Sequence, residues 1–335
     1  MRRLPAVFGA LVLWLCWAHA EPGQHWQTVS PDAKPWTLSI SREVQDFAAA
    51  HKPTAILVVR DDDIVASWGD IGAKVNVRSM RKSLLSALFG IAVEEHRINL
   101  ASTLAELEID DVPPALSPAE KKATVRELLM ARSGVYHPAA YETGRMKEVR
   151  PARESHPPGS FWYYNNWDFN ALGTIYRQSV DDIFANFEKR IARPIGMEDF
   201  STRDGQYLKE SSSSHPAYLF QMSARDLARF GLLFLNGGRW NGDQPIPARW
   251  VTDSTARLSD TDQPGRGYGY LWWTFTQAGS GLSGFFANGY GGQLVVIVPS
   301  KRLVFVELVD LTGNRDGVRT QRFLELVDKI SASIP

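Results

Sequence analysis

Ser79 and Lys82 place a hydroxyl and an amine three residues apart in the run Val77-Arg78-Ser79-Met80-Arg81-Lys82-Ser83. Residues i and i+3 share one face of a helix. The stretch that follows, Leu84 to Val93, reads as a largely apolar helix, so both groups fall at the start of a helix packed into the core. Burial of Lys82 would disfavour its charged form and supply the neutral amine needed to take a proton from Ser79. The positive end of the helix dipole favours charge developing on the hydroxyl oxygen. This is the chemistry of a serine nucleophile with a lysine base, working through a covalent acyl intermediate. The same letters also fit a helix cap followed by a solvated lysine, so the pair needs partners elsewhere in the chain.

Two other segments offer them. Pro158 to Asn170 is dense in aromatics and amides. Tyr164 beside Lys82 could relay a proton to a leaving group, and Asn166 could orient Lys82 or bind a substrate carbonyl. The competing reading is a packed aromatic loop whose amides satisfy buried backbone groups. Ala287-Asn288-Gly289-Tyr290-Gly291-Gly292-Gln293 joins two apolar strands. Its glycines let a substrate approach the backbone. An N–H there, paired with that of Ser79, could form an oxyanion hole; the alternative is a glycine-rich hairpin turn. His215, ahead of Pro216-Ala217-Tyr218, is either a cleft histidine or a loop histidine. Trp162, Trp167, Tyr268 and Trp272 either line an apolar acyl pocket or pack the core.

The sequence holds no His-x-x-x-His pair, no Gly-x-Ser-x-Gly elbow and no dinucleotide fingerprint. Neither a metal nor an organic cofactor is expected. Asp61-Asp62-Asp63 lacks the rest of a calcium loop and reads as a solvated turn.

The elements that must position these groups follow from the periodicity. Leu38 to Ala50 predicts a helix. Ala55–Val59 and Ile64–Trp68 predict a hairpin over the acidic turn. Helices are expected around Leu104–Leu107 and Val125–Leu129, over Asp168–Val180 and Ile183–Ile191, and from Ser223 as cap through Phe234, with Asp226 at the third helical position. Residues 137–160 read as a surface loop. Gly267–Phe275, Phe285–Ala287, Leu294–Val298 and Leu303–Val309 read as strands, and about Arg319–Ile330 as a terminal helix. Strands thus cluster at both ends of the chain and helices in the middle. The expected architecture is an α/β (α+β) fold in which residues 38–95 and 265–330 build one central antiparallel sheet flanked by helices, with a helical subdomain of about 96–264 inserted.

Bulk properties agree with an ordinary globular protein of 335 residues, 44% hydrophobic and 22% charged. The 37 Lys and Arg balance 37 Asp and Glu, which leaves no nucleic-acid footprint. Arg2 and Arg3, the apolar stretch Leu4 to Trp17 and Ala18-His19-Ala20 predict a signal peptide over 1–20, hence a periplasmic or secreted protein without stable membrane insertion after cleavage. The one cysteine, Cys16, falls inside that segment, so the mature chain would have no thiol nucleophile and no disulfide.

Taken together, Ser79-Met80-Arg81-Lys82, the Pro158–Asn166 segment and the late glycine strand resemble the serine beta-lactamase and penicillin-binding-protein superfamily. The branch they look most like contains class C beta-lactamases, their esterase relatives and the 6-aminohexanoate-dimer hydrolases. Leu128-Leu129-Met130-Ala131-Arg132-Ser133-Gly134 and Pro194-Ile195-Gly196-Met197 also resemble segments of that family, and the likeness runs over about residues 38–330. It implies a beta-lactamase-like fold, with Ser79 as the acyl-accepting nucleophile and Lys82 as its base. Tyr164 and Asn166 would be the tyrosine and asparagine of the Tyr-x-Asn element. Gly289 would be the glycine of the third element, with the Tyr290 N–H in the oxyanion hole. Where the family often has Lys-Thr-Gly or His-Thr-Gly, this chain has Ala287-Asn288-Gly289. Ala287 cannot hold a substrate carboxylate, which argues against efficient penicillin or cephalosporin hydrolysis and towards the 6-aminohexanoate-dimer-hydrolase-like branch. The resemblance therefore implies an esterase or amidase acting on a small molecule. D-alanyl-D-alanine carboxypeptidase or beta-lactamase activity, or a catalytically silent binding protein, remain the alternatives.

Overall fold

The computed structural model describes residues 26–29, 36–312 and 316–334; the segment 1–20, expected to be a signal peptide, lies outside them. Short strand β1 (Gln27–Thr28) precedes helix α1 (Thr37–His51), which turns Ile40, Val44 and Ala48 to the core at four-residue spacing. Strands β2 (Ala55–Arg60) and β3 (Asp63–Gly69) form the expected hairpin. Strand β4 (Val75–Asn76) leads through a 3-10 turn, Arg78–Met80, into α2 (Arg81–Glu94). Every residue of α2 from Arg81 to Ala92 is buried, as expected of a helix without a polar face.

The middle of the chain holds α3 (Val125–Leu129), α4 (Gly144–Glu148), α5 (Asn166–Ser179) and α6 (Ile183–Phe187), the last continued by a π-turn over Glu188–Ala192. A hairpin of β5 (Gly205–Glu210) and β6 (Ser213–Met222) follows, then α7 (Ala224–Leu235) and α8 (Ala248–Ser254). The inserted helical segment also carries strands: β5 and β6 pair there, with β4 beside β6, in a separate three-stranded sheet. Leu104–Leu107 is a turn, not a helix. Glu108 takes φ +54 and its N–H bonds the Ala105 carbonyl, while the Ile109 N–H reaches back to Leu104, so the ladder stops after one turn. Within 137–160, His137, Ala139 and Ala140 are buried, so that loop runs partly beneath the surface. Ser223 caps α7 by accepting the Asp226 N–H, while the Asp226 carboxylate accepts from the N–H groups of Glu198, Asp199 and Phe200.

The last third supplies β7 (Ser259–Asp260), β8 (Arg266–Tyr268), β9 (Trp273–Thr276), β10 (Ser283–Gly289), β11 (Gln293–Val298), β12 (Leu303–Leu308) and α9 (Thr320–Ser333). Gly267–Phe275, read as one strand, is a hairpin of β8 and β9. Leu271 turns the chain with φ +64, and the Tyr270 and Leu271 N–H groups leave the ladder for the carbonyls of Ser254 and Leu129. The main sheet runs β1-β3-β2-β12-β11-β10-β9-β8-β7 and is antiparallel except for β1 against β3. Helix α7 covers one face, with Gly231 against Val295 and Val304. Helices α1 and α9 cover the other, where the Thr320 hydroxyl meets Asn288. This is a central antiparallel sheet built from both chain ends, flanked by helices, with a largely helical segment inserted. Among the described residues no helix is long and apolar enough to cross a membrane.

Candidate active site

Ser79 is half-buried in the 3-10 turn at the mouth of α2, and Lys82 lies one turn further in, 1% exposed. Lys82 Nζ is 2.9 Å from Ser79 Oγ and 2.7 Å from the Tyr164 hydroxyl. The amine also sits over the rings of Tyr164 and Phe169, 4.2 and 4.5 Å from their centroids. Burial, and secondarily the adjacent Arg81 cation, hold the Lys82 ammonium well below its usual pKa. Burial pushes the Tyr164 phenol up to about 12, against a smaller opposing effect of its hydrogen bond with Ser79. Both shifts favour the uncharged forms, the amine of Lys82 and the phenol of Tyr164.

The turn that carries Ser79 is held from both sides. The Val77 N–H bonds the carbonyl of Phe220 on β6, and the Met80 N–H that of Val77. Arg78 adopts φ +52, a left-handed conformation costly for a residue with a Cβ. Asn76 Oδ1 fixes it by accepting the Arg78 N–H at 2.9 Å, and Arg78 Nη1 donates to the Tyr141 hydroxyl at 2.6 Å. The strand end enters from β10: a Cβ built on Gly289 would lie 2.3 Å from the Val77 carbonyl oxygen and 3.2 Å from Arg78 Cβ. Only glycine allows that approach. Tyr290, the next residue, is 69% exposed.

Tyr164 lies on an extended segment pinned by the Tyr163 N–H to the Ala131 carbonyl, 2.9 Å. Asn165 ends that segment as the cap of α5, accepting the Trp167 N–H at 3.1 Å. Asp168 in the first turn accepts from Ser133 Oγ and Asn165 Nδ2, tying the segment to the Ser133-Gly134 loop. Tyr268 and Trp273 stand edge-on and tilted against the Tyr164 ring at 5.9 and 5.3 Å, and Trp162 packs on both. Trp272 turns instead into the core against Phe230 and Phe234, and Trp167 is buried with its indole N–H on Asp111. Trp273 was not among the aromatics singled out from the sequence. The turn at Leu271 reverses the alternation that a single strand would have imposed.

Ser79, Lys82 and Tyr164 thus come together, with Gly289 against the same turn. Asn166 and His215 are placed differently. Asn166 is buried, and its Nδ2 donates to the Tyr141 carbonyl at 2.7 Å, so it anchors the Arg78–Tyr141 side of the site, while Lys82 bonds Ser79 and Tyr164. His215 is buried on β6, paired with Thr174 Oγ1 at 2.9 Å and edge-on to Trp167 at 5.3 Å. Burial holds its imidazole below the usual range. Trp167 and Thr174 lie seven residues apart on one face of α5, while Phe169, which touches Lys82, is on the opposite face. His215 therefore belongs to the core behind α5, not to the Ser79 cleft. Spacing hid two other participants: Arg81, an intervening position of the Ser-x-x-Lys run, and Tyr141, in a loop without periodicity. Among the described residues no group of three or more His, Cys, Asp or Glu could hold a metal ion.

Comparison with known proteins adds to this geometry. The family model described as Beta-lactamase matches residues 40–329. A Bacillus anthracis protein assigned by name to the 6-aminohexanoate-dimer hydrolases superposes with TM-score 0.65 at 21% identity, over 87% of this chain and 81% of its own. A penicillin binding protein from Bacillus halodurans gives TM-score 0.62 at 16% identity, over 87% and 98%. A beta-lactamase from Mycobacterium bovis gives 0.60 at 19%, over 87% and 97%. No curated protein matches the chain. At such identities the structural likeness speaks for the fold, while the family match spans most of the sequence.

Proposed function

The chain belongs to the beta-lactamase family of serine hydrolases, and from that premise we propose that Ser79 is the acylated nucleophile, Lys82 its general base and Tyr164 the proton donor to the leaving group. One observation carries the reading: a buried amine 2.9 Å from Ser79 Oγ and 2.7 Å from the Tyr164 hydroxyl. A general base must lie within hydrogen-bond reach of the proton it takes and be unprotonated at working pH. Lys82 meets the first at 2.9 Å, and burial, with Arg81 second, lowers its pKa in the direction the second requires.

Ser79 Oγ attacks the substrate carbonyl carbon as its proton passes to Lys82 Nζ. The carbonyl π pair moves to oxygen, and the backbone N–H groups of Ser79 and Tyr290 receive that oxyanion. The approach of Gly289 to the Val77 carbonyl supports this pairing, because it holds the strand end against the turn of Ser79. The tetrahedral centre collapses with cleavage of the bond to the alcohol or amine. Tyr164 gives its proton to that leaving group and regains one from the Lys82 ammonium. Water then attacks the ester carbon, giving a proton to Lys82, and Ser79 Oγ leaves with the proton returned to it. The chain's own groups balance every proton.

The substrate class we favour is a small ester or amide. Ala287 lies on the same face of β10 as Gly289 and offers only a methyl group there. Asn288 faces the other way, its Oδ1 accepting from Thr320. Neither supplies a cation to a substrate carboxylate, which weighs against β-lactam and D-alanyl-D-alanine substrates. The basic-apolar-small pattern of residues 1–20 supports export to the periplasm or medium.

The test is a fluorophosphonate together with a panel of small esters and amides, read by intact mass and product release. One adduct on the Ser79 peptide with ester turnover is expected, and Ser79→Ala should abolish both without changing the thermal midpoint. A Ser79→Ala protein that still acylates at the parent rate rejects Ser79 as nucleophile. A folded parent with neither adduct nor turnover moves the chain to a silent binding role.

A further inference from the structure

Arg81 is an unusual residue to find inside a core. It is fully buried in the first turn of α2, between Ser79 and Lys82 in sequence. Its Nη2 donates to Asn170 Oδ1 at 2.8 Å, and its guanidinium lies over the Tyr218 ring, 4.3 Å from the centroid. Its Nε and Nη1 are buried without a hydrogen-bond acceptor, and among the described residues no carboxylate forms an ion pair with it. A buried cation without an anion is costly. An apolar side chain of similar volume would fill the space at lower cost, so packing does not explain it.

Its neighbour does. Two positive charges one residue apart in a low-dielectric interior repel strongly. Lys82 is faced by Ser79 from its own segment, by Tyr164 from the 161–165 stretch and by Phe169 from α5, and the charge of Arg81 acts on it as the second cause of its lowered pKa, after burial. Arg81 is faced by Asn170 of α5 and Tyr218 of β6. Tyr268 of β8 and Trp273 of β9 close the other side of Tyr164. Burial raises the pKa of all three tyrosines, so none offers an anion. Asp168 is held by Ser133 and Asn165, and burial pushes it towards its protonated form. The other nearby cation, Arg78, is turned to Tyr141. Among the described residues no anion pairs with Arg81; Asn170 and the Tyr218 ring hold it without a counter-charge.

We infer that Arg81 is a positioning residue for the base: its unpaired, buried guanidinium keeps Lys82 in the unprotonated form that accepts the Ser79 proton. This rests on the reading of Ser79 and Lys82 as nucleophile and base. Asn170 and Tyr218 would hold the cation in place without neutralising it.

The pH dependence of fluorophosphonate labelling tests this without knowledge of the substrate. The parent, Arg81→Met, Arg81→Lys and Asn170→Asp proteins are labelled from pH 5 to 10, with circular dichroism and thermal melts alongside. The parent rate should rise through an acid limb to a plateau. Arg81→Met removes the charge, and Asn170→Asp pairs it with a carboxylate while keeping the guanidinium and the side-chain shape. Both should move the acid limb up by about one pH unit or more, a loss of about tenfold or more at a pH on the limb, with labelling recovered at high pH. Arg81→Lys places a second lysine in the same buried, unpaired site, where desolvation disfavours its charge as it does that of Lys82, so its limb should move up as that of Arg81→Met does. A folded Asn170→Asp protein with the parent limb overturns the inference whether or not Arg81→Met folds, as does a uniform loss at every pH. A parent that is not labelled at Ser79 rejects the underlying hydrolase reading instead.

Discussion

At the scale of single residues, Tyr164 is where a structural and a chemical role separate. Its ring packs against Phe169, Tyr268 and Trp273, and its hydroxyl meets Lys82. Tyr164→Phe keeps the ring and deletes the proton. With an amide substrate, whose leaving amine must be protonated, kcat should fall by about 10²–10⁴-fold. With a nitrophenyl ester, whose leaving group departs as an anion, the loss should be much smaller. Equal losses on both would reassign the phenol to activation of Ser79. Ser79 and Lys82 were legible because they share one helical turn, whereas Tyr164 was legible through the resemblance to the Tyr-x-Asn element, since its aromatic, amide-rich run reads equally as a packed loop. His215 was not legible, because its place depends on which face of α5 meets β6. Arg81 was not legible because an intervening motif position has no spacing signal; only burial without a counter-ion reveals it.

At the scale of elements, the site depends on a strand end meeting a turn. Gly289→Ala would bring a methyl to within 2.3 Å of the Val77 carbonyl oxygen, so either β10 or the Ser79 turn must move. Overpacking of this kind costs about 1–3 kcal/mol. We expect fluorophosphonate labelling to slow by about tenfold or more, with a lower thermal midpoint. Labelling at the parent rate would show that the strand end is not part of the oxyanion site. The elements hardest to read in the sequence were those whose pattern is broken for a local reason. The β5–β6 hairpin contains four serines from 211 to 214 and then Pro216, composition that reads as loop. It pairs all the same, because the opposing face of β6 packs against α5. The β8–β9 turn is hidden within aromatics, and α2 supports it through Ser83 and Ser86, whose hydroxyls donate at 2.7 Å to the carbonyls of Leu271 and Tyr270. Those two serines look like interruptions of an apolar helix. They are the polar contacts that join α2 to the far end of the sheet.

At the scale of the whole molecule, the pairing of β2 with β12 closes the sheet across the full length of the chain, and one buried acid sits at that junction. Glu307 on β12 is fully buried between Leu294 and Ile56 on the neighbouring strands, and among the described residues neither carboxyl oxygen has a hydrogen-bond partner. Burial raises its pKa well above the usual 4.5. The folded protein therefore keeps this proton over a range of pH in which the unfolded chain has lost it. With more protons bound in the folded state, stability falls as pH rises from about 4.5 towards the folded value. Glu307→Gln removes the titration and preserves the shape. Within that window its stability relative to the parent should improve by up to about 1.4 kcal/mol per pH unit. Asp168 and Asp226, which burial shifts in the same direction, cancel in the comparison because both proteins contain them. Urea unfolding of the two proteins at pH 5, 6, 7 and 8 reads the difference directly. Curves that diverge with pH locate the proton on Glu307. Parallel curves would mean that its protonation does not change on unfolding, and that the seam between the two chain ends accommodates a charged carboxylate.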